Sequence, residues 1–235
     1  MDALDRLAED PSRAGLFLDV DGVLAPIVAR PEDARVPDET RAELRRLQAR
    51  YALVACISGR AGADARHVVG VPELTYVGNH GLELEPDADA WGTRLHEFLT
   101  GVDWHELEDK TVTATLHYRN APDEAAARTQ LDAIAARARD AGFIARYGRK
   151  VLELLPPLEA NKGTAVRRLL EQHGLRHALY AGDDTTDLDA FAVVADLELG
   201  IRVAIATPEG PSALRDAADV VLEAQSAVLL LLRRL

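Results

Sequence analysis

The sequence LFLDVDG, residues 16–22, places two acids, Asp19 and Asp21, at the end of a run of three large apolar residues. Such a run is typical of a buried strand, where ionised carboxylates lose hydration and repel each other. An Asp-Gly turn is the simpler explanation, but it does not account for an acid directly after the apolar run. Carboxylates clustered in a buried place imply a cation, and Mg²⁺ prefers carboxylates together with waters and a substrate phosphate. The stretch therefore predicts a buried strand that ends in a cation site.

Strands and helices alternate on both sides of this stretch. Residues 38–50 predict an exposed amphipathic helix, and residues 52–57 and 74–78 predict two more buried strands. Later in the chain the alternation returns, with a helix that has Asn161 as its N-cap and a strand at residues 178–182. This alternation is typical of parallel sheets, so the sequence predicts an α/β fold with a Rossmann-like parallel-sheet core domain.

The middle of the chain has a different pattern. Residues 111–119 alternate between apolar and polar side chains, which predicts a half-exposed strand of an antiparallel sheet. A long helix after Pro122 and two short strands follow, and Pro86 and Pro156-Pro157 bracket the region as expected hinges. We therefore expect a core domain of residues 1–83 and 158–235. A smaller α+β cap domain, residues 84–157, is expected to be inserted into it and to cover the active site.

Composition narrows the class of protein. The chain has 235 residues, of which 48% are hydrophobic, and its net charge of −12 argues against nucleic acid or an anionic membrane as a partner. The one cysteine, Cys56, excludes an intrachain disulfide and suits a reducing compartment. The longest apolar stretch, residues 227–232, is far short of the ~20 residues that a membrane helix needs. We expect a cytoplasmic monomer that acts on a small molecule.

Residues whose side chains can react or bind ligands follow the predicted strands, at the edge where open parallel sheets bind ligands. Ser58 follows the second strand, and Asp183-Asp184 follows the strand at residues 178–182. Lys162-Gly163 opens a helix, and its backbone N–H groups together with the lysine charge make an anion site.

Each of these residues also has a purely structural explanation. Taken alone, Ser58 would be a helix cap and Lys162 a solvated surface residue. Asp183, Asp184 and Asp187 could form an acidic helix start, although three acids within five residues are more than a cap requires. In this order and at these strand ends, the residues together indicate a phosphate and cation site.

The order Asp-x-Asp-Gly-x-Leu, Ser, Lys, Gly-Asp-Asp-x-x-Asp resembles the haloacid-dehalogenase-like phosphatase superfamily. Finer matches look like the trehalose-6-phosphate phosphatase family within it. The matching segments are LAPI at 24–27, ISGR at 57–60, GNHG at 78–81, LHYR at 116–119, Glu153, NKG at 161–163 and GDDTTD at 182–187. The chain departs from the family at Leu188, where an acid is usual.

The resemblance implies Mg²⁺-dependent hydrolysis of a sugar phosphate through an aspartyl-phosphate. Asp19 would be the nucleophile and Asp21 the general acid and base, with Ser58, Gly59 and Lys162 binding the phosphate. Mg²⁺ would lie between Asp19, the main-chain carbonyl of Asp21 and Asp183. Asp184 and Asp187 would lie beside or behind Asp183.

The resemblance also implies residues that contact the substrate. These are Arg60, His80, Glu108, Lys110, Arg119 and Glu153. The residues of the insert could instead form exposed ion pairs, and His80 could either lie near the phosphate or pack at a hinge.

Three other functions remain open. A capped phosphatase acting on sucrose phosphate or another phosphorylated glycoside would share the core motifs. A receiver-type signalling domain also combines acids, a hydroxyl and a lysine, but its acidic pair precedes the phosphorylated aspartate, whereas here it follows Asp19 by more than 160 residues. A catalytically inactive homologue is the third, although no required motif residue is missing.

Overall fold

The computed structural model describes residues 2–28, 30–206 and 210–235. The chain divides into two compact units, one of Met1–Gly81 with Ala160–Leu235, and one of Leu82–Glu159. The cap domain expected at residues 84–157 falls within the second unit. The two units are called the core unit and the inserted unit below.

The core unit contributes the following elements in chain order: α1 (Ala3–Glu9), β1 (Ala14–Leu18), α2 (Asp38–Gln48), β2 (Leu53–Ile57), α3 (Gly62–Val69) and β3 (Thr75–Val77). The inserted unit then contributes α4 (Ala88–Leu99), β4 (Leu107–Asp109), β5 (Ala114–His117), α5 (Glu124–Asp140), β6 (Ile144–Gly148) and β7 (Val151–Leu155). The chain returns to the core unit with α6 (Lys162–His173), β8 (His177–Gly182), α7 (Leu188–Ala195), β9 (Leu199–Ile205), α8 (Ser212–Ala217), β10 (Val220–Leu222) and α9 (Val228–Arg234).

The core unit is built on a six-stranded sheet in the order β10-β9-β8-β1-β2-β3, in which all paired strands are parallel. β1 lies between β2 and β8, and all five of its residues are buried. Strands covered on both faces lose contact with water entirely, so they consist of continuous apolar residues. The predicted α/β fold with a parallel-sheet core is confirmed.

The inserted unit has a four-stranded antiparallel sheet in the order β4-β5-β7-β6. α5 packs on one face of this sheet, with Leu131 and Ile134 in the same apolar cluster as Leu116 and Leu152. Because side chains alternate along a strand, the other face carries polar residues.

The structure corrects two details of the expected elements. The alternation of residues 111–119 is longer than the strand it predicted, because β5 covers only Ala114–His117 and Thr111 has φ +73° in a turn. The sequence of residues 184–195 predicts one continuous helix, whereas in the structure a 3₁₀ turn, Thr185–Asp187, precedes α7, which begins at Leu188. Among the described residues, none of the helices is long and apolar enough to cross a membrane.

Candidate active site

The candidate site forms where the strand order of the core sheet diverges. From β1 the chain proceeds outward through β2 to β3, and from β8 it proceeds outward in the other direction through β9 to β10. Such a divergence opens a crevice at the carboxyl ends of the two adjacent strands. Asp19 directly follows β1 and Asp183 directly follows β8, and the pairing of Leu18 with Ala181 places them side by side.

Lys162 joins acids from two of these strand ends. Its Nζ lies 2.6 Å from Asp19 Oδ2 and 2.7 Å from Asp187 Oδ1, and only 2% of the residue is exposed. Lys162 is the first residue of α6, whose N-cap Asn161 forms a capping box with Thr164. The N-cap fixes the residue at which α6 begins, and this start position directs the Lys162 side chain toward the carboxylates of Asp19 and Asp187.

Asp187 organises the loop after β8. Its Oδ1 accepts hydrogen bonds from Lys162 and from the Tyr180 hydroxyl at 2.6 Å. Its Oδ2 accepts from the backbone N–H groups of Asp183 and Asp184 at 2.9 and 3.0 Å. With four donors, this fully buried carboxylate is well compensated and holds Asp183 in place.

Two glycines leave room for the carboxylates. Gly22 has φ +79°, and a Cβ added there would lie 2.0 Å from Asp183 Oδ2. A Cβ added at Gly182 would lie 2.3 Å from Asp187 Cγ. Any side chain at either position would enter the acid cluster, so the Asp-Gly and Gly-Asp pairs of the sequence have a steric cause.

The acids outnumber the bases at this site. The pKa of Asp19 is raised to about 7, chiefly by burial, while Lys162 acts to lower it and the nearby Asp187 acts to raise it. Burial also raises the pKa of Asp183 to about 7, again with Asp187 as a second cause. Burial lowers the pKa of Lys162, but Asp19 and Asp187 outweigh this and leave it raised, so the lysine stays charged. One ammonium does not neutralise three buried carboxylates, which leaves a net negative charge for a cation or protons.

The donor set fits a hard divalent cation. Asp19, Asp183 and Asp187 each offer a carboxylate oxygen, and these oxygens all lie within 4.8 Å of one another. The side chains of Asp184 and Asp21, the other two predicted metal residues, lie outside this cluster of three carboxylates, although the prediction for Asp21 concerns its main-chain carbonyl. Asp184 is exposed and accepts a hydrogen bond from the Thr185 N–H, and the side chain of Asp21 pairs with Arg60.

Asp21 and Arg60 form a bidentate ion pair. Arg60 Nε lies 2.7 Å from Asp21 Oδ2, and Arg60 Nη2 lies 2.8 Å from Asp21 Oδ1. Arg60 also donates to Asp64 at 2.7 Å. Two parallel hydrogen bonds fix the orientation of the Asp21 carboxylate, whose side chain is 41% exposed.

Ser58, Gly59 and His80 lie together beyond β2 and β3. Ser58 is 1% exposed, and its Oγ accepts from the Arg60 N–H at 3.2 Å. A Cβ added at Gly59 would lie 2.7 Å from the His80 ring. His80 has φ 55° and follows Asn79 with φ 52°, a left-handed turn that costs energy for residues other than glycine. Backbone strain of this kind clusters at functional sites.

The remaining predicted residues belong to the inserted unit. Glu108 Oε2 lies 3.2 Å from His117 Nε2 and 3.5 Å from Lys110 Nζ. Glu153 Oε2 lies 2.8 Å from Arg146 Nη2, and Arg119 is exposed. Glu108 and Glu153 therefore lie on the polar face of the sheet, in ion pairs that leave part of each carboxylate accessible.

A sequence model of the family described as trehalose-phosphatase matches residues 17–223. The chain belongs to the trehalose-phosphatase family. A protein of Mycobacterium avium named trehalose-phosphate phosphatase is 37% identical over 205 residues, which cover 76% of this chain and 51% of that protein. The predicted family resemblance is confirmed.

Two other relatives of this family member are a much longer protein and a solved domain of lower sequence identity. A Mycobacterium tuberculosis protein named as an uncharacterized glycosyl hydrolase is 36% identical over 215 residues, covering 81% of this chain but 16% of that protein. The chain thus spans between one sixth and about half of these two mycobacterial relatives. The solved C-terminal domain of C. albicans trehalose-6-phosphate phosphatase shares the fold, with 23% identity and a TM-score of 0.66 over 98% of this chain and 94% of that domain.

Sequence reasoning missed the contacts of two residues, Tyr180 in the core unit and Arg146 in the inserted unit. Tyr180 lies within the strand predicted at residues 178–182, and its hydroxyl donates a hydrogen bond to Asp187. Arg146 lies in β6 and pairs with Glu153 of β7. The signal that could have identified Tyr180 is a hydroxyl within a buried strand, because a buried hydroxyl needs a hydrogen-bond partner.

Proposed function

We propose that the protein is a Mg²⁺-dependent phosphatase that hydrolyses trehalose 6-phosphate to trehalose and phosphate. The observation that carries the proposal is the buried contact of Lys162 with Asp19 and Asp187, beside Asp183. This anionic, oxygen-rich cluster suits a cation, and it lies at the carboxyl ends of parallel strands, where ligands such as phosphates bind. The chain also belongs to the trehalose-phosphatase family.

Asp19 and Asp183 would hold Mg²⁺, with Asp187 behind them. Both have raised pKa values near 7, whereas the oxygens of Asp187 already accept four hydrogen bonds. When bound, the ion would neutralise the carboxylates and polarise the phosphoryl oxygens.

The reaction proceeds in two steps on this chain's own residues. In the first, a carboxylate oxygen of Asp19 forms a bond to phosphorus, the bond from phosphorus to the sugar oxygen breaks, and Asp21 donates a proton to that oxygen. In the second, water attacks phosphorus, Asp21 takes its proton, and the bond to Asp19 breaks to release phosphate. Arg60 orients Asp21 for both transfers through its bidentate contact.

Positive and neutral donors would bind the phosphoryl oxygens. Lys162 carries the buried charge, and Ser58 and the Gly59 N–H lie beyond the neighbouring strand. Donors fixed in advance stabilise charge without reorganising during the reaction. His80, held over Gly59, is proposed to contact the substrate beside them.

The inserted unit is proposed to act as a cap that supplies the sugar contacts. Glu108, Lys110, Arg119 and Glu153 carry charged groups suited to hydroxyl-rich ligands. The closed cap would exclude water from the phosphoryl transfer.

Phosphate release from a substrate panel tests this proposal. The panel contains trehalose 6-phosphate, sucrose 6-phosphate, glucose 6-phosphate and para-nitrophenyl phosphate, with and without Mg²⁺ and with a chelator as control. We expect phosphate release to be much faster from trehalose 6-phosphate than from the other substrates, and we expect the chelator to abolish it. Similar rates on all four would leave the phosphatase chemistry standing but remove the sugar specificity, and no release from any would contradict the proposed activity.

The second candidate is a capped phosphatase of another phosphorylated glycoside, such as sucrose phosphate. The core cluster serves either substrate, since it contacts only the phosphate. A preference for sucrose 6-phosphate in the same panel would select this candidate.

A further inference from the structure

The polar face of the inserted unit's sheet, opposite the face that packs on α5, carries four polar side chains in one line. The strand registers pair Glu108 with Thr115, Thr115 with Glu153, and Glu153 with Arg146. These four residues, one from each strand, are called the polar row. The neighbouring Leu116 and Leu152 point to the opposite face, where they join the apolar cluster under α5.

Charges within and beside the polar row balance. Arg146 neutralises Glu153 at 2.8 Å, and Lys110 lies 3.5 Å from Glu108. Two carboxylates against two cationic side chains leave no excess for a metal ion. Carboxylates flanking a hydroxyl offer hydrogen-bond acceptors and one donor in alternation, which is the complement of a neutral polyol. Two strand spacings separate the backbones of Glu108 and Glu153 by about 10 Å, so a ligand can lie between their side chains.

Thr115 is the central residue of the row and is 6% exposed. Its hydroxyl makes no hydrogen bond to another residue that the structure describes, and it is not among the fully buried side-chain atoms that lack a partner. The hydroxyl oxygen is therefore open to solvent, where water or a ligand can bond it. Because Glu108 and Glu153 on either side are also partly exposed, a ligand can reach the hydroxyl and the two carboxylates together.

We propose that Thr115 is a further substrate-binding residue, whose hydroxyl bonds a hydroxyl group of the substrate's sugar between Glu108 and Glu153. Arg146 is a positioning residue in this arrangement, because its contact with Glu153 Oε2 fixes which lone pairs of the carboxylate remain accessible. The inference rests on the proposed function and specifies its sugar recognition.

Thr115→Val tests the inference, since it removes the hydroxyl and keeps the shape of the side chain. Thr115→Ser keeps the hydroxyl. Thr129→Val is the matched control, because it removes an exposed hydroxyl that bonds the Ala125 carbonyl within α5. Each variant is assayed with Mg²⁺ on trehalose 6-phosphate and on para-nitrophenyl phosphate, and its thermal midpoint is recorded.

We expect Thr115→Val to raise the KM for trehalose 6-phosphate by about 3- to 10-fold, the effect of one neutral hydrogen bond. Its kcat/KM for para-nitrophenyl phosphate and its thermal midpoint should stay at or above the wild-type values. Thr115→Ser and Thr129→Val should retain the wild-type KM. A KM within twofold of wild type in Thr115→Val, or an equal loss on both substrates, would overturn the inference.

Failure of the proposed function gives a different result. In that case the wild-type protein would hydrolyse para-nitrophenyl phosphate but not trehalose 6-phosphate. The same variants are then assayed on whichever sugar phosphate of the panel is turned over best. The role of Thr115 stands if Thr115→Val raises the KM for that sugar phosphate and leaves kcat/KM for para-nitrophenyl phosphate unchanged. It falls if no sugar phosphate shows this difference.

Discussion

Lys162 Nζ lies 2.6 Å from Asp19 Oδ2, although 143 residues separate the two in sequence. Lys162 is 2% exposed and Asp19 is 6% exposed. A buried ion pair of this kind is costly to assemble and more costly to break, because removal of one partner leaves the other charged and unpaired. The contact joins the end of β1 to the start of α6 and therefore couples the stability of the core unit to its chemistry.

Removal of Lys162 should both destabilise and inactivate the protein. In Lys162→Met, the carboxylates of Asp19 and Asp187 lose the buried ammonium that pairs with both, which should lower the free energy of unfolding by about 3–5 kcal/mol. Urea unfolding measures the loss, and phosphate release should fall with it. Lys150→Met is the control, because Lys150 pairs with Glu124 on the surface. A loss of stability no larger than that of the control would contradict the account of the pair.

Tyr180 should support catalysis through Asp187. Tyr180→Phe removes the donor at 2.6 Å from Asp187 Oδ1 and keeps the ring contact with Phe191. We expect a stability loss of about 0.5–1.5 kcal/mol and weaker binding of Mg²⁺, because Asp187 holds the backbone of Asp183. Mg²⁺ titration of the phosphatase rate measures the second effect. The control is Tyr51→Phe, which removes a hydrogen bond to the Leu235 carbonyl and should change stability without changing the Mg²⁺ requirement. An unchanged Mg²⁺ requirement in Tyr180→Phe would contradict the prediction.

A methyl group at Gly22 should disrupt the acid cluster. Gly22→Ala combines a φ of +79° with a Cβ placed 2.0 Å from Asp183 Oδ2. Gly174→Ala is a matched control, since Gly174 has φ +62° but no described atom within 4 Å of the added Cβ. The control should lose about 1 kcal/mol from backbone strain alone, and Gly22→Ala should lose more and respond less to Mg²⁺ in thermal melts. Equal losses in the two variants, with the same response to Mg²⁺, would show that the space beside Asp183 is not needed.

Stability of the metal-free protein should fall as pH rises toward neutrality. The pKa values of Asp19 and Asp183 are about 7 in the folded protein against 3.8 as ordinary values. Between about pH 4 and pH 7 the folded state therefore holds protons that the unfolded state has released, so the free energy of unfolding decreases with increasing pH. Mg²⁺ binds the ionised carboxylates, and its stabilising effect should grow over the same range.

Thermal melts at a series of pH values, with and without Mg²⁺, measure both trends. Asp183→Asn serves as control, because it removes one of the two titrating groups and should flatten the pH dependence of the metal-free protein. A Mg²⁺-induced shift of the melting temperature that does not change between about pH 5 and pH 8 would contradict the prediction.

The sequence predicted the acid cluster because of a general property of parallel sheets. Their carboxyl ends lie at one edge, so Asp19 and Asp183 were expected at the same edge once β1 and β8 were recognised as strands, and the adjacency of β1 and β8 brings the two acids together. The path of the Lys162 side chain into the cluster was not predictable in detail, since it depends on where the cap at Asn161 fixes the start of α6.

The pairings of the site were harder to predict than its members. Arg60 was predicted to contact substrate, but its bond to Asp21 depends on the loop geometry after β2. The polar row depends on strand order, because β5 pairs with β7 and not with the sequence-adjacent β6. The alternation of residues 111–119 continued through a turn at Thr111, since period-two polarity does not report where hydrogen bonding stops.

The role of Asp19 is the central claim, and the Asp19→Asn variant tests it most directly. Phosphate release from trehalose 6-phosphate with Mg²⁺ is compared among wild type, Asp19→Asn and the control Asp189→Asn, which alters an exposed acid in the first turn of α7. We predict that Asp19→Asn folds normally and loses roughly 10⁴-fold or more in rate, as for a removed nucleophile, while Asp189→Asn retains the wild-type rate. Wild-type-like turnover in a folded Asp19→Asn variant would contradict the account.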